Sequence, residues 1–98
     1  MIKRFLDCNA TDFNTMGKKE ILTSIKASEG RVLVSEIIGA VSPLLYDISN
    51  AELAAAFGAD LLLLNMLDLD HPVFYGLPTS NSETIIKTIK ELTGRIIG

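Results

Sequence analysis

Hydrophobic positions along the chain switch between helical and strand-like spacing. Residues 15–28 predict a helix, because an apolar stripe recurs at helical intervals between charged positions, at Ile21, Leu22 and Ile25. Gly30 follows, as glycine often does just beyond a helix end. Residues 31–38 are rich in β-branched and apolar side chains and predict a first strand.

The middle of the chain predicts a capped helix followed closely by a second strand. Ser49 and Glu52 have the spacing of a capping box, and the helix that begins there ends before Gly58. Residues 60–66 contain four consecutive leucines that do not alternate with polar residues. This pattern is typical of a parallel strand that is covered on both faces.

The last part of the chain repeats the same order of elements. A long loop over 67–79 leads to a second capping box at 80–83 and a helix that ends before Gly94. Residues 95–98 then predict the beginning of a third strand. The fold class is therefore α/β, with successive βα units, parallel strands and right-handed crossovers expected.

Two strands and the start of a third do not suffice for a complete α/β sheet. A closed barrel needs eight βα units, typically over about 250 residues. We therefore expect residues 1–98 to be a single partial domain, the N-terminal part of a (βα)8 TIM-type barrel. Two alternatives remain open, namely association of copies through the sheet edge and a compact three-stranded unit with helices on one face.

Composition narrows the class of protein. The chain has 98 residues, of which 48% are apolar, and this content excludes an intrinsically disordered protein. A net charge of −3 gives no basic surface for nucleic acid or for an anionic membrane. The lone Cys8 requires no oxidising compartment, and no apolar run is long enough to span a bilayer, so we expect a cytoplasmic location.

Five segments carry a resemblance to a known family: 6–10 (LDCNA), 29–32 (EGRV), 36–40 (EIIGA), 44–47 (LLYD) and 49–60 (SNAELAAAFGAD). They resemble the start of a family of bacterial proteins labelled phosphoenolpyruvate phosphonomutase-like or haloacid-dehalogenase-like hydrolases. The resemblance implies a TIM-type barrel of which this chain is the N-terminal third. Ser35-Glu36-Ile37 stands where a dehalogenase would carry an Asp-x-Asp motif, so the resemblance implies the fold rather than one reaction.

The candidate catalytic residues follow from the fold, since α/β enzymes bind ligands at the carboxyl ends of their strands. Glu36 lies near the end of the first strand, and Asn65 and Asp68 follow the second, with His71 in the same loop. Glu36 is expected to act as an acid, a base or a metal ligand, or else to form a salt bridge with an arginine. Asn65 could orient a substrate carbonyl or phosphate, or could instead hold the following loop in place.

Oxygen ligands suggest a divalent metal. Glu36, Asp68 and Asp70 are the candidate ligands, and oxygen-rich ligation suits Mg²⁺ or Mn²⁺. His71 is a candidate general acid or base. The alternative interpretation of the 68–71 cluster is a solvated loop, because aspartate is also an ordinary turn residue.

Together these features predict part of a TIM-barrel enzyme, a metal-dependent lyase, mutase or hydrolase. Its substrate would be a small anionic metabolite, and residues 1–98 alone would be inactive because most of the site is missing. The competing hypothesis is a non-enzymatic α/β module that associates with itself or a partner through an exposed strand edge.

Overall fold

The protein is described by a computed structural model over residues 3–45, 47–78 and 84–98. The chain divides into two compact units, Met1–Leu33 and Val34–Gly98. No helix among the described residues is both long enough and apolar enough to cross a membrane. That residues 1–98 form one partial domain stays a prediction.

The first unit is helical. A 3₁₀ helix spans Phe5–Asp7, α1 spans Ala10–Asn14 and α2 spans Lys18–Ala27. The helix predicted over 15–28 therefore begins later than expected, because Gly17 has extended backbone and takes the N-cap position. Helix α1 was not predicted from the sequence, since its five residues are too few to show a helical period.

Local hydrogen bonds explain why so short a helix forms. Asn9 Oδ1 accepts a hydrogen bond from the Asp12 amide at 3.0 Å, and Asp12 Oδ2 accepts one from the Asn9 amide at 2.9 Å. These bonds satisfy amides at the helix start that have no partner within the helix. The Asn9 amide and the Lys3 ammonium group also hold the pKa of the Asp12 carboxyl below its usual value.

The first unit packs through aromatic rings and buried serines. The rings of Phe5, which is buried, and Phe13 have centroids 4.8 Å apart. Ser28 Oγ accepts a hydrogen bond from the Leu6 amide at 3.4 Å and donates one to the Ser24 carbonyl at 3.2 Å. The buried Ser28 hydroxyl thus joins the 3₁₀ helix to α2 and is itself satisfied.

The second unit contains a three-stranded parallel sheet. Its strands are β1 (Val34–Ile37), β2 (Leu61–Leu64) and β3 (Ile96–Ile97), in the order β1-β2-β3. This confirms the α/β class and the parallel arrangement of the strands. The strands are shorter than the apolar segments that predict them, and β1 begins only at Val34.

Two helices connect these strands. Helix α3 spans Asn50–Ala56, and its predicted capping box is confirmed, since the Glu52 amide donates to Ser49 Oγ at 3.3 Å and the Ser49 amide donates to Glu52 Oε1 at 3.4 Å. Helix α4 spans Ile85–Thr93 and ends at Gly94, whose φ of 66° is left-handed. The second predicted capping box, at 80–83, lies outside the described residues.

The helices cover one face of the sheet, which we call the covered face. Strand register places Ser35, Leu62 and Ile97 on this face, followed by Ile37 and Leu64. The core of the unit forms here from seven buried residues, Ile37, Ala51, Ala59, Leu62, Phe74, Ile85 and Ile89. Both α3 and α4 contribute to this core.

The opposite face, which we call the open face, carries Val34, Glu36, Leu61, Leu63 and Ile96. None of these five residues belongs to the core cluster or packs against it. Val34 is 50% exposed and Leu63 is 42% exposed. The expectation that the leucine strand is covered on both faces is therefore wrong for this structure, because α3 and α4 both pack against the same face. Helices on one face of the strands are compatible both with a three-stranded unit and with a segment of a barrel, so both stay predictions.

Candidate functional site

Glu36 is an exposed carboxylate at the carboxyl end of β1. It lies on the open face, next to Leu63 in the strand register. The salt bridges considered from the sequence are not formed, since Arg31 Nη2 pairs with Glu29 Oε2 at 3.2 Å and Arg95 Nε donates to the Ala59 carbonyl at 2.8 Å. The Glu36 carboxylate is therefore available to a ligand from solvent.

Asn65 follows β2 directly. Its backbone amide donates to the Ile37 carbonyl at 2.9 Å, so the pairing of β1 with β2 continues one residue beyond the strand. Met66 then adopts a left-handed φ of 57°, at which the chain leaves the sheet. Asn65 and Glu36 therefore lie at the ends of neighbouring strands, as expected from the sequence, and the structure shows that both are exposed.

The Asp68–His71 segment forms a turn. Asp68 Oδ1 accepts hydrogen bonds from the Asp70 amide at 2.9 Å and from the His71 amide at 3.3 Å. Such a side-chain bond to amides two and three residues ahead is the usual role of aspartate in turns. Asp68, Asp70 and His71 are all exposed, as a solvated loop requires.

The carboxylates do not assemble into a metal centre. Within the described parts of the chain, no three His, Cys, Asp or Glu side chains come together as a group that could hold a metal ion. Glu36, Asp68 and Asp70 are therefore not gathered into the three-ligand group expected from the sequence. These residues do not fit a Mg²⁺ or Mn²⁺ site, and we derive no step through a metal.

Cys8 is the one cysteine in the sequence. It is half-buried, and its thiol donates to the Arg4 carbonyl with an Sγ–O distance of 3.4 Å. Burial raises the pKa of the thiol above its usual value. A protonated thiol is a poor nucleophile, so a catalytic role for Cys8 gains no support.

Sequence reasoning missed the contact between the loops that follow β1 and β2. The Tyr75 amide donates to the Gly39 carbonyl at 2.9 Å. The Phe74 ring packs so closely on Gly39 that a Cβ at this position would overlap it. Gly76 has a φ of 86°, and a Cβ there would lie 2.8 Å from Ser49 Cα. The two loops are therefore held together at three successive residues.

A cavity of about 520 Å³ lies beside this contact and is lined, among the described residues, by Ser42, Pro43, Tyr75 and Gly76. The sequence offered one signal for it, namely glycines in both loops with an aromatic pair directly before the second one. A Tyr-Asp pair directly before the first capping box could also line a pocket, but Tyr46 lies outside the described residues and Asp47 is exposed.

Comparison with known proteins identifies a family and no activity. No curated protein and no solved structure matches the chain significantly. The family model described as "Domain of unknown function (DUF7916)" matches residues 6–98. Since this match covers nearly all of the sequence, the chain belongs to the DUF7916 family.

Proposed function

We propose that residues 1–98 form the N-terminal part of a (βα)8 barrel enzyme. The observation that carries this proposal is the open face, where α3 and α4 of the same unit leave four apolar strand residues outside the core, namely Val34, Leu61, Leu63 and Ile96. In a barrel, one face of every strand contacts the outer helices and the other points into the interior. The covered and open faces of this sheet have the composition that those two positions require.

The open face also suggests where the chemistry would occur. Glu36 is the one charged residue among the five on this face, and it lies toward the carboxyl end of β1. In a closed barrel the apolar residues would fill the interior and Glu36 would lie near the mouth, where barrel enzymes bind their substrates. A carboxylate there can accept or deliver a proton during bond cleavage.

The other candidate residues take supporting roles. The Asn65 amide, at the end of the neighbouring strand, would orient a carbonyl or phosphate oxygen of the substrate. Asp68 would shape the loop through its turn, and the exposed His71 would act as a second acid or base. We propose a small anionic metabolite as substrate, a lyase or phosphoenolpyruvate-mutase-like reaction, and a cytoplasmic location.

The test uses the natural gene that encodes residues 1–98 and any βα units that follow in its reading frame. The purified product is screened against keto acids and phosphoesters, and Glu36→Gln is compared with the parent. We expect Glu36→Gln to reduce kcat by about 100-fold or more, which is typical of losing a general acid or base. Glu91→Gln, an exposed carboxylate on α4, is the matched control and should leave kcat unchanged. A reading frame without further βα units, or a Glu36→Gln variant of full activity, would overturn the proposal.

A second candidate function is a module that assembles through its strand edges. The order β1-β2-β3 leaves β1 and β3 at the edges of the sheet, and edge strands readily pair with other chains. Size-exclusion chromatography with light scattering tests this on the 98-residue chain. A dimer or larger assembly supports the module, whereas a stable monomer at all concentrations would overturn it.

A further inference from the structure

The cavity beside the contact between the two loops is a candidate binding site. It lies at the carboxyl end of the sheet, between the loop after β1 and the loop after β2. Its volume of about 520 Å³ is within the range of small-molecule sites. The four described lining residues all belong to the second unit.

Tyr75 is the aromatic residue among the described residues that line this cavity. Its side chain is 51% exposed, although the backbone on both sides is tightly held. The buried ring of the preceding residue, Phe74, packs on Gly39, and the Tyr75 amide donates a hydrogen bond to the Gly39 carbonyl. The following residue, Gly76, lies against the backbone of Ser49. An exposed aromatic ring on a rigid backbone is a preorganised contact surface, because binding costs it little conformational entropy.

The lining residues specify the chemistry of the ligand. The rings of Tyr75 and Pro43 provide flat apolar surfaces, and the hydroxyls of Tyr75 and Ser42 can donate or accept hydrogen bonds. None of the four described lining residues carries a charge. A charged group bound there would be desolvated without an ionic partner among them, which is unfavourable.

We infer that this cavity binds a flat, uncharged ring that carries a hydroxyl group, with Tyr75 stacking on the ring and Ser42 bonding the hydroxyl. This inference rests on the proposed function and extends it, since such a ring would be the uncharged part of the substrate. Its test measures binding alone.

Phenol is the probe, and binding is followed by two-dimensional ¹H–¹⁵N NMR of the 98-residue chain. We expect phenol to shift the amide signals of Gly39, Tyr75 and Gly76 with millimolar affinity, which is typical of so small a ligand. Tyr75→Ala should weaken binding about fivefold to tenfold through loss of stacking, and Ser42→Ala by a smaller factor. Benzoate, which is charged, and cyclohexanol, which is not flat, should both bind more weakly than phenol.

Two control variants separate stacking in the cavity from contact of phenol with other apolar surfaces of the protein. Phe57→Ala removes a ring that is 84% exposed at the end of α3 and does not line this cavity, so phenol affinity should not change. Tyr75→Leu keeps an apolar side chain and should still lose the stacking contribution, which distinguishes stacking from general packing. The inference would be overturned if phenol shifted amide signals outside the two loops, or if Tyr75→Ala and the parent bound phenol with equal affinity.

The two proposals fail separately. If phenol binds as expected but Glu36→Gln retains full activity, the enzyme proposal is overturned and the binding site stands. If Glu36→Gln loses activity but phenol does not bind in the cavity, the inference about the cavity alone is overturned.

Discussion

The two faces of the sheet differ although the same strands build both. Leu62 is fully buried on the covered face, whereas its neighbour Leu63 is 42% exposed on the open face. The two residues are chemically identical and adjacent, so hydrophobicity does not explain the difference. The helices decide it, since α3 and α4 both contribute to the core on the side of Leu62. An apolar strand segment therefore indicates what can be buried, and the neighbouring elements decide what becomes buried.

The difference between the faces has an energetic consequence. Complete burial of a leucine side chain is worth about 1.5–3 kcal/mol relative to full exposure. Leu62 contributes this stabilisation within the described structure, and Leu63 contributes only part of it. Substitutions of matched residues on the two faces, made in the 98-residue chain, can therefore measure whether the open face of this chain is exposed in solution.

The largest difference should come from introducing a carboxylate on each face. Ile37→Glu places a charge in the core of the covered face without an ionic partner, and we expect a loss of more than about 4 kcal/mol, enough to prevent folding. Val34→Glu, on the open face of the same strand, should fold normally. Circular dichroism with urea titration measures both. Equal damage from the two substitutions would show that the open face is covered in solution.

Adjacent leucines provide the next comparison. Leu62→Ala should lower the free energy of unfolding by about 3 kcal/mol, because it leaves a cavity in the core. Leu63→Ala should cost less than about 1 kcal/mol on the exposed face. Urea unfolding of the two variants under identical conditions gives both values. Similar values, both near that of Leu62→Ala, would contradict the assignment of an open face.

Gly39→Ala tests how the loop after β1 is held to the core. The added methyl would overlap the Phe74 ring, which belongs to the core, and we expect a loss of about 1–3 kcal/mol. Gly17→Ala is a milder control, since its nearest neighbour to a new Cβ is Glu20 Oε1 at 3.8 Å. Thermal unfolding followed by circular dichroism compares the two. If the two variants unfold at the same temperature, Phe74 does not pack on Gly39 as described.

Glu36→Leu should have the smallest effect on stability. Glu36 is exposed and makes no ion pair with Arg31 or Arg95, so we expect a change within about 0.5 kcal/mol. The substitution makes the open face entirely apolar and should increase the binding of a hydrophobic dye such as ANS. A large loss of stability with unchanged dye binding would show that Glu36 supports the fold rather than interrupting an apolar surface.

The sequence predicted much of the local structure and part of the candidate site. The capping box of Ser49 and Glu52 and the helix end at Gly94 were predictable because they depend on residues only a few positions apart. The positions of Glu36 and Asn65 at adjoining strand ends followed from the parallel order of the strands. The loop contact at Tyr75 was not predictable, because Tyr75 and Gly39 come together only after the sheet has formed.

The sequence by itself determined the order of helices and strands, since capping, glycine conformation and apolar spacing act over a few residues. Tertiary structure alone decided that Leu62 is buried and Leu63 exposed, and that Tyr75 meets Gly39. Both outcomes depend on which surfaces meet after the chain has folded, and that choice is made between segments far apart in the sequence.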